Sequence, residues 1–308
     1  MTGYTVPMKL RFYLLFSFFT LLFLFYPGDS EYFHIFAYNR NLFEKTRKET
    51  APHLEPLPVL KSNTAPQISA EGVYILDLPS FTPIFEKNAR VRMLPASTTK
   101  IITALVTIDL YKPEDVITVK RVMDEGQLMG LIPNEKITVE NLIYGILVHS
   151  GNDAAYAIAD AYGYEKFIEL MNEKAASLHM KDTKFRNPAG LDEFDHYSTP
   201  YDLALASRAL LEHPILKKTV AIKEITIADV DYKYFHVLSN VNKLLGEIQG
   251  IGGLKTGYTE NAGENLISFY KHDGHQYIIV LLKSLDRFHD TRNVVSWIEA
   301  NVDYIPLQ

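Results

Sequence analysis

The feature that most restricts this chain is the placement of its strand-like runs in two distant regions, with helical patterns filling the interval between them. "GVYILDL" (Gly72 to Leu78) and "FTPIFEK" (Phe81 to Lys87) are rich in β-branched and aromatic residues and are parted by a short turn, as in a hairpin. Pro83 cannot donate to a ladder, which assigns the second run to a sheet edge. Strands return only after Lys223, with "GGLKTGYT" (Gly252 to Thr259), "NLISFYK" (Asn265 to Lys271) and "QYIIVLLK" (Gln276 to Lys283). The Asp273-Gly274 pair makes a turn between the last two. Apolar spacing predicts helices over Thr98 to Tyr111, stopped by Pro113, then Val139 to Val148, Asp153 to Tyr162, Tyr164 to Leu178 and Pro200 to Glu212. Thr199 as N-cap, Pro200 at the first helical position and Asp202 in the first turn mark the start of the last of these. A final helix is expected from roughly Asp290 to Val302. Strands at both ends of a helical middle predict an α/β (α+β) domain, with one antiparallel sheet flanked by helices and a helical subdomain inserted between its first and last strands.

The region ahead of this domain has a different character. Lys9 and Arg11 precede "FYLLFSFFTLLFLFY" (Phe12 to Tyr26), which is uncharged and mostly apolar, and "PGDSE" follows. Positive, then apolar, then acidic is the order of an export signal whose N-terminus stays in the cytoplasm. As a helix this run spans roughly 22 Å, short of a hydrocarbon core of about 30 Å, which favours a cleavable signal. No small-x-small cleavage site follows, however, and the aromatic run "YFHIFAY" (Tyr32 to Tyr38) suits an uncleaved anchor at the membrane interface. Residues 1–30 are therefore expected to be a signal peptide or N-terminal membrane anchor, and 31–69, with Pro52, Pro56, Pro58 and Pro66, a linker. Residues 70–304 are expected to form the folded domain.

Composition removes several kinds of chemistry. With 31 basic against 37 acidic residues, and no basic stripe carrying aromatics, nucleic acid is not an expected partner. The absence of cysteine excludes disulfides, thiolate catalysis and Cys-based zinc sites. The histidines show no H-E-x-x-H spacing, so neither a metal nor another cofactor is expected.

Three polar clusters remain inside apolar surroundings. In "PASTTKIITAL", Ser97 and Lys100 are three residues apart, so their side chains share a helix face. A serine needs a base to become a nucleophile, and a lysine can be that base once burial lowers its pKa. In "LVHSGNDAAY", Ser150-Gly151-Asn152 breaks two helical patterns and can turn both polar side chains into a cleft. In "GLKTGYT", Lys255 and Thr256 offer donors to an anion, and Gly257 permits close approach of a substrate backbone. Taken singly, each is also what a helix cap, an interhelical turn or a charged edge strand produces.

In this order, on a helix start, an interhelical turn and a strand, the three clusters resemble the S-x-x-K, S-x-N, K-T-G set of penicillin-recognising serine enzymes. "LPASTTKIITALV", "FRNPAGLDEFDHYSTPYDLALASRAL" and "NVNKLLGEIQGIGGLKTGYTENAGENLIS" are similar to one branch, the serine-type D-alanyl-D-alanine carboxypeptidases, which are low-molecular-mass penicillin-binding proteins. The resemblance runs from roughly Ala70 to Val302 and implies a β-lactamase/transpeptidase-like fold. It implies Ser97 as the acylated nucleophile, Lys100 as its base and Ser150 as the proton relay to the leaving group. Asn152 would hold the substrate amide, Lys255 the electrostatic field and Thr256 the substrate carboxylate. The backbone N–H groups of Ser97 and Tyr258 would form the oxyanion hole beside Gly257, and Arg287 in "LDRFHD" would bind the terminal carboxylate. No role is attached to His149.

The implied substrate is a peptidoglycan stem peptide ending in D-Ala-D-Ala, with β-lactams as covalent inhibitors. The implied location is the extracytoplasmic face of the cell membrane. Many relatives carry a C-terminal amphipathic helix for anchoring; here the chain stops at Gln308, which assigns anchoring to the N-terminal segment. D,D-endopeptidase action on crosslinks is the main alternative. A class A β-lactamase would need a deacylating glutamate, and Glu169 in "ELMN" is expected to be a helix-surface residue instead. A non-catalytic peptidoglycan-binding module would not need to keep Ser97, Lys100 and Lys255.

Overall fold

The computed structural model describes residues 8–25 and 56–305. Helix α1, Met8–Leu24, stands in a separate unit from the body that begins at Glu55, and its described side chains are exposed on every side. Among the described residues no helix is long and apolar enough to cross a membrane.

The body is built on a five-stranded antiparallel sheet. Its strands are β2 (Gly72–Asp77), β3 (Pro83–Lys87), β8 (Ile251–Thr259), β9 (Gly263–His272) and β10 (His275–Ser284), in the order β3-β2-β10-β9-β8. Pro83 lies on the edge strand, where its missing N–H costs nothing. Both faces of the sheet are covered, which explains why β10 reads as a near-continuous apolar run. Ile278, Val280 and Leu282 face the larger core with Ile101, Ile102 and Ala104. Tyr277, Ile279 and Leu281 alternate to the other face, against Val294, Trp297 and Ile298 of α8 (Arg287–Asn301).

Between β3 and β8 lies the helical insertion. It contains α2 (Lys100–Leu110), α3 (Val139–Leu147), α4 (Asn152–Tyr162), α5 (Tyr164–Ser177), α6 (Pro200–Glu212) and α7 (Pro214–Val220). Thr199 caps α6 by accepting from Asp202 N. Two short pairs complete the insertion: β4 (Val116–Thr118) with β5 (Lys136–Thr138), and β6 (Glu224–Ala228) with β7 (Phe235–Ser239).

Three expectations need correction. The helix expected from Thr98 starts instead with a 3₁₀ turn, Ala96–Thr99, that passes into α2. The last helix begins at Arg287 rather than Asp290, because the Asp286 carboxylate accepts from Phe288 N and His289 N and starts it a turn earlier. Part of the expected linker is folded structure. β1 (Leu57–Leu60) pairs with β11 (Val302–Ile305), and Trp297 Nε1 donates to Thr64 O at 2.8 Å. The prolines at 56 and 58 disguise a strand that among the described residues has one partner, where a missing N–H is tolerated. Residues 31–55 of that linker, with the expected interfacial run Tyr32 to Tyr38, lie outside the described residues.

Candidate active site

A cleft of about 640 Å³ lies where the helical insertion meets β8, and Ser97, Ser150, Asn152, Thr256, Gly257, Tyr258 and Arg287 all line it. Ser97 sits inside the 3₁₀ turn, where residues three apart stack more directly than on an α-helix. Lys100 opens α2, and its Nζ lies 2.8 Å from Ser97 Oγ. The same nitrogen donates to Asn152 Oδ1 at 2.7 Å and to Ala189 O at 2.8 Å.

Lys100 is fully buried. Desolvation pushes its amine down from the ordinary lysine value to about 7, against the charge of Asp153, which favours the ammonium. An ordinary lysine is almost wholly protonated at neutral pH. This one is poised to accept a proton there.

Ser150 and Asn152 come from the break between α3 and α4. Ser150 takes a left-handed backbone, φ 65°, which turns its hydroxyl toward Lys255. Lys255 Nζ donates to Ser150 Oγ at 2.8 Å and to Thr256 O at 3.0 Å. Burial lowers Lys255 well below the lysine range, and the charges on Lys100 and Arg287 add to that effect. Two buried amines so close together disfavour a double charge, so a proton on Lys255 favours the free amine on Lys100. Asn152 is fixed from both ends, with Nδ2 donating to Glu125 O at 2.8 Å and its backbone N–H donating to Gln127 O at 2.7 Å.

The glycine of the strand motif has a reason within the chain itself. A Cβ at Gly257 would lie 3.1 Å from Pro95 O, Ala96 Cβ and Ser97 N, so β8 runs directly against the turn that carries the serine. Ser97 and Tyr258, the residue after that glycine, both line the cleft. Tyr258 itself is largely exposed. Arg287, at the first position of α8, donates from Nη1 to Gly257 O at 2.7 Å, while its buried Nε has no hydrogen-bond partner among the described residues and lies 4.0 Å from Glu264 Oε2 as an ion pair. Its backbone N–H donates to Glu264 Oε2 at 2.9 Å. Burial lowers its guanidinium from the ordinary arginine value.

All nine residues singled out in the sequence therefore converge on one cleft, with Lys100 and Lys255 buried beneath its lining. Sequence reasoning missed the segment that closes it on the remaining side, Asn187 to His196. This segment supplies Ala189 O to Lys100, and Asp192, which accepts from Thr259 Oγ1 at 2.7 Å and Asn261 Nδ2 at 2.9 Å. A backbone carbonyl leaves no side-chain trace, so only the likeness of "FRNPAGLDEFDHYS" to known sequences pointed here. Glu169 is exposed on α5 and does not line the cleft. His149 lies at the cleft's outer margin, its Nε2 2.8 Å from Gln127 Nε2 and 3.1 Å from Leu128 O. Among the described residues there is no group of three or more histidine or carboxylate side chains that could hold a metal ion.

The comparisons agree with this geometry. A family profile described as D-alanyl-D-alanine carboxypeptidase matches residues 60–285. The D-alanyl-D-alanine carboxypeptidase DacF of Bacillus subtilis (strain 168) is 36% identical over 203 residues, which cover 63% of this chain and 52% of that protein. DacD of Escherichia coli (strain K12) is 33% identical over 257 residues, 77% of this chain and 64% of the relative. The chain thus spans about half to two-thirds of the length of these relatives. Among solved structures, the Streptomyces K15 DD-transpeptidase is 29% identical with a TM-score of 0.73, covering 77% of this chain and 99% of that one. A D-alanyl-D-alanine carboxypeptidase from Mycobacterium tuberculosis H37Rv is 26% identical with the same TM-score of 0.73, covering 80% and 96%. Fold, cleft and sequence agree, and this chain belongs to the D-alanyl-D-alanine carboxypeptidase family.

Proposed function

We propose that this protein is a serine-type carboxypeptidase that removes the terminal D-alanine from peptidoglycan stem peptides ending in D-Ala-D-Ala. The observation that carries this reading is the buried Lys100 amine 2.8 Å from Ser97 Oγ, with the Ser150–Lys255 pair lining or underlying the same cleft. Lys100 takes the hydroxyl proton as Ser97 Oγ bonds to the carbonyl carbon of the penultimate D-alanine. The negative oxygen that forms is met by the N–H groups of Ser97 and Tyr258. The peptide C–N bond then breaks, and a proton passed through Ser150 goes to the departing amine. Water then gives a proton to the base as its oxygen bonds to the ester carbon, and that proton passes to Ser97 Oγ as the ester C–O bond breaks. Asn152 holds the substrate amide. Lys255, Thr256 and Arg287 present positive charge and donors to the terminal carboxylate.

The same acylation step makes β-lactams covalent inhibitors. Glu169, the class A candidate that the sequence offers, lies outside the cleft, and on this reading the penicilloyl ester decays slowly. The polarity of residues 9–30 supports export, with the domain on the extracytoplasmic face and held to the membrane by its N-terminal segment.

A second reading concerns what accepts the acyl group, because one of the similar solved structures is named a DD-transpeptidase. The test is peptide cleavage followed by mass, as D-alanine from an uncrosslinked pentapeptide, D-alaninamide from its C-terminal amide and monomer from a crosslinked dimer, with and without an amine acceptor. Release from the pentapeptide, sharply reduced by amidation, is expected, because an amide leaves the carboxylate donors desolvated and unpaired. Faster cleavage of the dimer would replace this reading with an endopeptidase. Product joined to the amine in preference to hydrolysis would replace it with a transpeptidase.

A further inference from the structure

Lys100 Nζ has three oxygen neighbours: Ser97 Oγ, Asn152 Oδ1 and Ala189 O. A neutral amine carries two N–H bonds and one lone pair. The Asn152 and Ala189 oxygens can only accept, so they take both N–H bonds. The lone pair is left facing Ser97 Oγ, the one neighbour that can donate. Aiming the base thus depends on where these two acceptors stand.

Ala189 O is held in place largely by one side chain. Asn187 is buried, and its Oδ1 accepts from the backbone N–H groups of Ala189, Gly190 and Leu191 at 3.2, 2.7 and 3.0 Å. Its Nδ2 donates to Leu191 O at 3.0 Å and to Glu193 Oε2 at 3.1 Å. Thr103 Oγ1, on the helix that carries Lys100, donates to Pro188 O at 2.6 Å and ties the same turn to α2. Asn187 neither lines the cleft nor bonds to Lys100.

We infer that Asn187 is a positioning residue for acylation: by fixing the Ala189 carbonyl it aims the Lys100 lone pair at Ser97. This rests on the reading of Lys100 as the base. Other groups set the background field at Lys100. Asp153 on α4 favours its charge, and Lys255 on β8 opposes a second one. His196 lies beyond Thr99, with Nε2 3.0 Å from Thr99 Oγ1, and burial keeps its ring neutral.

The experiment is the rate of acylation by a fluorescent penicillin across about pH 5 to 10, on the full chain and on Asn187→Ala and Asn187→Asp, with each rate normalised to the final adduct per protein. In Asn187→Ala the plateau rate should fall roughly ten- to a hundredfold. Its acid limb should move to lower pH, because the ammonium loses an acceptor that favours it. Asn187→Asp keeps an acceptor for the three N–H groups but sets its second oxygen against Leu191 O and Glu193 Oε2, so the plateau should recover in part. Its added negative charge should move the acid limb to higher pH. Thr103→Val, which releases the same turn from the helix, should shift the limb as the Ala variant does, and it provides the reading if Asn187→Ala does not fold. A residue serving the fold alone would lower the number of reactive sites and leave rate per site and acid limb at their wild-type values; that result overturns the inference. A wild-type protein that takes no penicillin would instead overturn the reading of Ser97 and Lys100 beneath it.

Discussion

At Lys100 the proposed role as a base and the cost to stability come from the same burial. Burial lowers its amine from 10.5 to about 7, so between those values the unfolded chain binds more protons at this site than the folded one. Stability from this site therefore rises with pH across that window, and below about pH 7 the cost of burying the lysine is fully present. Lys100→Met removes the charge at similar length. Its melting temperature relative to wild type should be higher at pH 7 than at pH 10, by about 2–4 °C for each kcal/mol of linked cost, while acylation is abolished. A difference between the two proteins that does not change with pH would contradict the linkage. Lys100→Arg tests the base itself, since a guanidinium stays protonated and cannot accept the serine proton. Stopped-flow acylation by penicillin should be as slow in the Arg variant as in Lys100→Ala, and near-normal rates would remove Lys100 from that role.

At the scale of elements, most of the site was readable because each motif marks a change of local structure. Pro200 after Thr199 marked the start of α6, and the near-continuous apolar run of β10 marked the strand that organises both cores. The 3₁₀ start of α2 was not readable. Its cause lies outside the helix, in the contact of Pro95 to Ser97 with Gly257 on β8. β1 was hidden by its prolines and by a partner, β11, at the far end of the chain. The Asn187 to His196 segment was hidden because its contribution is a carbonyl and a tight approach. Gly190, at φ +85°, lies so close to the serine turn that a Cβ would stand 1.8 Å from Ala96 O. Backbone cannot rotate away from that clash as a side chain can. Gly190→Val should therefore cost about 2 kcal/mol or more of stability and suppress penicillin binding. A chemical-denaturation midpoint equal to wild type would show that the turn moves freely and is not a support of the site.

For the whole molecule, the sheet and the helical insertion each supply part of the proposed reaction centre. Ser97 and Lys100 come from the insertion's first turn, Ser150 and Asn152 from an interhelical break, and Lys255, Thr256 and Gly257 from the edge strand β8. Residues spread over 190 positions meet only if the fold is as described, since Ser97 and Arg287 line one cleft of about 640 Å³. The central claim is that this cleft acylates Ser97. It is tested most directly by the intact mass of the protein after incubation with penicillin, in wild type and in Ser97→Ala, followed by peptide mapping. The account predicts a single penicilloyl addition on the wild-type peptide that contains Ser97 and none on the variant. No addition to the wild-type protein, or an equal addition to Ser97→Ala, would contradict it.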